Sequence, residues 1–114
     1  MKDFSGTWKN QNDSKLELSV SAGAVTGRFE SGVGDDGHVV WVTVAGRQTG
    51  DVIAFSAAYD QFGTAVSWVG QIADEDGTEA MLTHWLHVSD IPDNQEPKWL
   101  WYTNRIGNDR FTRM

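Results

Sequence analysis

The sequence contains no cysteine and only two prolines among its 114 residues. Without cysteine, the chain can form no disulfide bond, no cysteine-ligated zinc site and no catalytic thiol. Positive charge is also scarce, because nine Lys and Arg stand against sixteen Asp and Glu, giving a net charge of −7. A nucleic-acid partner is therefore disfavoured, since phosphate binding requires a basic surface. No apolar run approaches the ~20 residues that a membrane-spanning helix requires.

Short runs of alternating apolar and polar residues cover most of the chain and predict β-strands. Turn signals containing glycine, aspartate and asparagine separate these runs. The predicted strands are GTWKN, KLELSV, AVTGRFE, VVWVTVAGR, DVIAFSAAY, TAVSWVGQ, EAMLTHWLHV and PKWLWYTNRIGNDRFTR. Their number and short spacing predict a single domain over residues 1–114, an all-β, eight-stranded antiparallel up-and-down β-barrel.

The run EAMLTHWLHV is apolar on both faces. Ala80, Leu82, Leu86 and Val88 lie on the face opposite Trp85. One face of a barrel wall lines the interior and the other is exposed to solvent. An apolar outer face therefore predicts that another molecule covers it, most simply another copy of the chain.

Small polar residues fall at the ends of strands whose inner faces are otherwise apolar. Asn10 follows Trp8 on one such face, Ser31 follows Phe29, and Asp109 stands between Gly107 and Phe111. Aromatic walls with a few placed donors and acceptors are typical of a small-molecule pocket.

Several stretches in unbroken order resemble the avidin/streptavidin family of biotin-binding proteins. They are SGTWKNQNDSKLEL, GAVTGRFESGVGD, the WVGQ run at Trp68, LTHWL, and the final W-x6-G-x-D-x-F-T pattern from Trp101 to Thr112. The resemblance runs from Gly6 to Arg113. It implies a non-catalytic barrel that sequesters the vitamin biotin, with biotin as the bound ligand and no cofactor.

The resemblance assigns roles around the cyclic urea of biotin. Asn10 and Ser14 match two donors to the urea carbonyl oxygen, and Phe29 stands where a tyrosine usually supplies the third. Ser31 and Asp109 match the acceptors for the two urea N–H groups. The missing hydroxyl at Phe29 is expected to cost about 1–3 kcal/mol, so binding weaker than that of the tightest family members is predicted.

The remaining matched positions concern the ring sulfur, the tail and the walls. Val66 replaces a hydroxyl residue beside the sulfur, while Asn12 and His87 replace residues that are usually apolar. The other matched residues are Val33, Gly34, Asp35 and Thr64 near the carboxylate tail, and Tyr59, Trp68, Trp85 and Trp101 on the walls. Trp101 matches a residue that reaches over the pocket of a neighbouring subunit, which implies a homotetramer, with a dimer as the alternative.

Trp8 and Arg113 match a pair that closes the barrel floor, the guanidinium stacking on the indole. No metal is predicted, because His84 and His87 face opposite sides of one strand. The resemblance implies a secreted protein, although the start MKDFSGTW lacks a signal-peptide layout and a cytoplasmic protein is the alternative. Two other functions stay open: a lipocalin-like barrel for another small cyclic or apolar ligand, and an interaction barrel with a filled lumen.

Overall fold

The computed structural model describes residues 2–31, 40–96 and 103–114, with Ser31 and Gln61 described by their backbone alone. Eight antiparallel strands follow one another around a closed barrel, which confirms the predicted fold class. The strands are β1 Gly6–Lys9, β2 Lys15–Ser21, β3 Ala24–Ser31, β4 Val40–Thr49, β5 Val52–Tyr59, β6 Thr64–Glu75, β7 Thr78–Ser89 and β8 Arg105–Arg113. Single 3₁₀ turns occupy Asp60–Phe62 and Asp93–Gln95. The part of the chain that the structure describes contains no helix that could span a membrane.

Alternation of side chains along the strands positions most of the core. In β2, Leu16 and Leu18 are buried and the intervening residues are not, as the period of two requires. The inner faces of the strands and the N-terminal Phe4 together form one apolar cluster. Its largest fully buried members are Trp8, Phe4, Phe55, Phe111, Leu16, Ile72 and Met81.

The floor of the barrel is the end closed by Trp8 and Arg113. The Trp8 indole is fully buried and donates through Nε1 to the Phe4 carbonyl oxygen at 2.9 Å. The Arg113 guanidinium lies 4.2 Å from the centre of the indole ring, so the predicted stacking is confirmed. Arg113 is held there by bonds to Glu79 and to the Ser5 carbonyl oxygen.

Successive layers rise from this floor along β7 and β8. From floor to mouth, the directly opposed inner residues are Met81 with Phe111, Thr83 with Asp109, Trp85 with Gly107, and His87 with Arg105. We call the His87–Arg105 end the mouth. An apolar layer thus separates the floor from a polar layer, and an aromatic layer covers the polar one.

The last predicted strand was too long at its N-terminal end. β8 begins at Arg105, and Thr103 lies in a turn. The Thr103 hydroxyl donates to the Ser89 carbonyl oxygen at 2.6 Å, so a side chain bonds a carbonyl that a strand partner would otherwise occupy. The earlier part of that prediction, residues 97–102, lies outside the described residues.

Candidate ligand-binding site

The turn between β1 and β2 presents two buried polar side chains. Asn10 and Ser14 are only 6% and 2% exposed. The Asn10 Oδ1 atom accepts the backbone N–H groups of Asn12 and Ser14, both at 2.9 Å, which fixes the orientation of the amide. Because both bonds use Oδ1, Nδ2 remains available to donate to a ligand.

Asp109 is the acidic group of the polar layer, 8% exposed and held by neutral donors. Its Oδ2 accepts the Trp68 indole N–H at 3.0 Å, and its Oδ1 accepts from Gln11 Nε2 at 2.9 Å. The Thr83 hydroxyl fixes the backbone by donating to the Asp109 carbonyl oxygen. A carboxylate offers about four acceptor positions, so Asp109 can accept further N–H donors.

Gln11 is the residue of this site that the sequence analysis missed. Its Nε2 donates to the Asn108 carbonyl oxygen at 3.1 Å as well as to Asp109, and its Oε1 accepts the Arg110 N–H at 2.9 Å. The backbone register between β1 and β8 pairs only Trp8 with Arg113 and Lys9 with Thr112. The Gln11 side chain therefore extends this short seam and also orients Asp109. A turn position carries no periodic signal, and nothing else in NQNDS distinguishes it.

Aromatic side chains form the wall beside Asp109. The Trp68 indole stacks on Phe55 with ring centres 5.0 Å apart, and Phe29 lies tilted against it, also at 5.0 Å. Trp85 packs partly buried against the same cluster. Gly107 makes room for Trp85, since a Cβ there would lie 2.2 Å from the indole Cζ2.

Nearer the mouth the wall combines apolar and hydroxyl groups. Val66 is buried and supplies no hydrogen-bonding group. The hydroxyls of Thr64 and Ser89 lie 3.0 Å apart on neighbouring strands. Tyr59 stands opposite Thr64 on β5, and burial raises the pKa of its phenol, so Tyr59 stays neutral and able to donate well above neutral pH.

The structure brings together most of the predicted residues on the inner faces of neighbouring strands and in the β1–β2 turn. Asn12 differs, since its side chain is exposed in that turn and its predicted place on the pocket wall stays a prediction. His87 faces the lumen at the mouth. Ser31 ends β3, described by its backbone alone, and Val33, Gly34, Asp35 and Trp101 lie outside the described residues.

The arrangement suits recognition of a small neutral group that carries both a carbonyl oxygen and N–H donors. Asn10 and Ser14 are buried in the β1–β2 turn, and the buried Asp109 on β8 is bonded to Gln11 of the same turn. When donors and an acceptor bind the same polar group away from water, they polarise that group, and each hydrogen bond strengthens the others. Across the described ranges, no three His, Cys, Asp or Glu side chains cluster closely enough to hold a metal ion.

Comparison with known structures finds the same barrel elsewhere. Xenavidin is 28% identical, with a TM-score of 0.85 over 98% of each chain. The biotin-binding protein from chicken is 22% identical, with a TM-score of 0.84 over 98% of this chain and 96% of its own. Rhizavidin, solved as a complex with biotin, is 20% identical, with a TM-score of 0.78 over 99% and 97%.

Curated protein sequences contain no match to this chain. The sequence model of the avidin family, by contrast, matches residues 1–114. Because that match covers the whole chain, this protein belongs to the avidin family, whose members bind biotin and catalyse no reaction.

Proposed function

We propose that this chain captures biotin without altering it and thereby sequesters the vitamin. The observation that carries the proposal is the buried Asp109 carboxylate, which among the described residues accepts hydrogen bonds only from the neutral donors Trp68 and Gln11. A buried charge without a cation is costly, and a ligand that offers further N–H groups reduces that cost. The urea of biotin offers two N–H groups, and its carbonyl oxygen complements Asn10 and Ser14.

The remaining assignments complete the proposed pocket. Ser31 accepts the second urea N–H. Trp68, Trp85 and Tyr59 enclose the rings, and Asn12 adds polarity to the wall. The tail meets Thr64 and the backbone of Val33, Gly34 and Asp35.

Calorimetric titration of the purified chain with biotin tests this function. We expect saturable heat at one biotin per chain and a raised melting temperature. Neither heat nor a thermal shift with excess biotin would reject the proposal. A different compound found bound by native mass spectrometry would then indicate another small ligand.

Phe29→Tyr is expected to slow biotin release. A hydroxyl at this position would supply the third donor to the urea oxygen, since Phe29 packs directly against Trp68 in the pocket wall. One such bond is worth about 1 kcal/mol, or roughly a fivefold to tenfold lower dissociation rate. Chasing labelled biotin with an excess of unlabelled biotin measures that rate. The matched control is Phe62→Tyr at an exposed turn position, which should leave it unchanged; an unchanged rate for Phe29→Tyr would reject the explanation.

We further propose that the protein is a secreted homotetramer in which Trp101 covers the pocket of a neighbouring subunit. Support comes from apolar side chains on the outer face of β6, β7 and β8. Ile106 is 79% and Val69 58% exposed, and Leu86 lies directly opposite Ile106. Patches of this kind mark association surfaces.

Light scattering is expected to give a mass of about four chains of 12.7 kDa each. A mass of two chains would reject the tetramer but keep a shared site. A mass of one chain at all concentrations would reject both the tetramer and the capping role of Trp101.

A further inference from the structure

The mouth of the barrel carries a histidine and an arginine side by side. His87 on β7 and Arg105 on β8 are directly opposed, so both lie on the inner face. They stand four residues above the Thr83–Asp109 pair, which is about 13 Å along the strand at the usual rise. A strand tilt of about 40° reduces this to roughly 10 Å along the barrel axis. A ligand whose urea lies against Asp109 would bring the far end of its tail to this height.

His87 is the inner residue of β7 at the mouth. Its Nδ1 atom is buried and has no partner among the described residues. The residue opposite it on β6 is Val66, which has no polar group to offer. A buried ring nitrogen without a partner is costly, so a ligand atom that completes the bond is favoured at this position.

Arg105 brings a permanent positive charge to the same layer. Its Nη1 donates to the Asn104 carbonyl oxygen at 3.1 Å, and a guanidinium has five N–H donors in a planar fork that suits a carboxylate. Between the Asp109 layer and the mouth, the described inner residues of β5 to β8 include no acid. Asp60 and Asp90 lie at the same end but in exposed connections, and the phenol of Tyr59 is neutral because its pKa is raised.

We propose that His87 and Arg105 form a carboxylate-selecting mouth, so that this protein prefers ligands with a free acid tail over the corresponding esters and amides. The proposal rests on biotin as the ligand of the pocket. It concerns the far end of that ligand, where a chain of net charge −7 places an arginine directly opposite a histidine whose Nδ1 has no partner among the described residues. Free biotin would then be captured in preference to biotin already joined to a protein through an amide.

The experiment compares biotin with biotin methyl ester, whose tail has lost the negative charge and gained one methyl group. Calorimetric titration should give a dissociation constant for the acid about tenfold to a hundredfold below that for the ester. Arg105→Gln and His87→Leu should each bring this ratio closer to one. Arg105→Lys keeps the charge and should keep part of the preference. Arg47→Gln is the matched control, an exposed position on β4 that should leave the ratio unchanged.

The outcomes separate this inference from the function on which it rests. If the wild-type protein binds neither compound, both are wrong. If it binds acid and ester equally, the selective mouth is wrong and biotin capture stands. A preference that survives unchanged in either Arg105→Gln or His87→Leu also overturns the assignment. Melting curves of the unliganded variants establish that each one is folded.

Discussion

Asp109→Asn is expected to weaken biotin binding by about a hundredfold to a thousandfold, the largest loss that we predict for any single substitution. The change keeps the shape of the side chain and removes its charge. It converts a group with about four acceptor positions into one with a single acceptor oxygen and an NH₂ donor. Hydrogen bonds to a charged partner are worth about 1.5–3 kcal/mol each. A loss of about 1.4 kcal/mol of binding free energy lowers the affinity tenfold.

The neighbours of Asp109 cannot rearrange to accommodate that amide. Trp68 Nε1 is only a donor. Gln11 is fixed by three bonds, because its Nε2 also donates to Asn108 and its Oε1 accepts the Arg110 N–H. Rotating the Gln11 amide would break both of those. In the variant, the N–H group of either Trp68 or Gln11 must therefore point at the new NH₂ group, which cannot accept a hydrogen bond.

Titration calorimetry with biotin measures the effect. The matched control is Asp74→Asn, which removes an equal charge at an exposed position paired with Lys2 and should leave the affinity unchanged. If Asp109→Asn binds biotin within threefold of wild type while folded, the carboxylate is not the acceptor of the urea.

Trp8→Ala is expected to cost about 3–5 kcal/mol of unfolding free energy, the usual range for truncating a buried tryptophan. The indole is fully buried at the floor, donates to the Phe4 carbonyl oxygen and stacks under Arg113. Truncation leaves a cavity, an unpartnered carbonyl and an arginine without its ring. The loss is a large part of the 5–15 kcal/mol that holds a typical domain together.

Trp41→Ala is the matched control for that experiment. Trp41 also lies under a guanidinium, with Arg28 at 3.9 Å from its ring centre, but it is only partly buried. We expect a loss of about 1 kcal/mol, since cation–π contacts at exposed sites are weak. Urea denaturation of the unliganded proteins gives both values. If both variants lose the same free energy of unfolding, the buried stacking at the floor stabilises the protein no more than the exposed contact does.

The strands and the inner faces could be predicted from sequence because a sheet repeats every two residues. Leu16 and Leu18, or Trp68 beside Ser67, reveal their faces without knowledge of the partner strands. The stacking of Arg113 on Trp8 came from resemblance rather than periodicity, since 104 positions separate them and no local pattern links the two ends of a chain. Asp109 stood out as a charge on an apolar face.

Other features depend on the closed barrel and have no local sequence signal. Gln11 reaches β8 only because the turn that carries it lies beside the seam. Gly107 is needed because Trp85 comes from the strand opposite. His87 was identified as a polar replacement, but its position opposite Arg105 follows from the register of β7 and β8, and the lack of a partner for its Nδ1 among the described residues shows only in the folded barrel. The start of β8 was misjudged because a Thr103 side-chain bond ends the ladder there.

A crystal structure of the protein with biotin would show which side chains hold the urea. We predict that a urea N–H of biotin lies within hydrogen-bond distance, about 3 Å, of an Asp109 carboxylate oxygen. The urea oxygen should face the Asn10 amide on the opposite side. Biotin bound elsewhere, or bound in the barrel with its urea turned away from Asp109, would contradict the account.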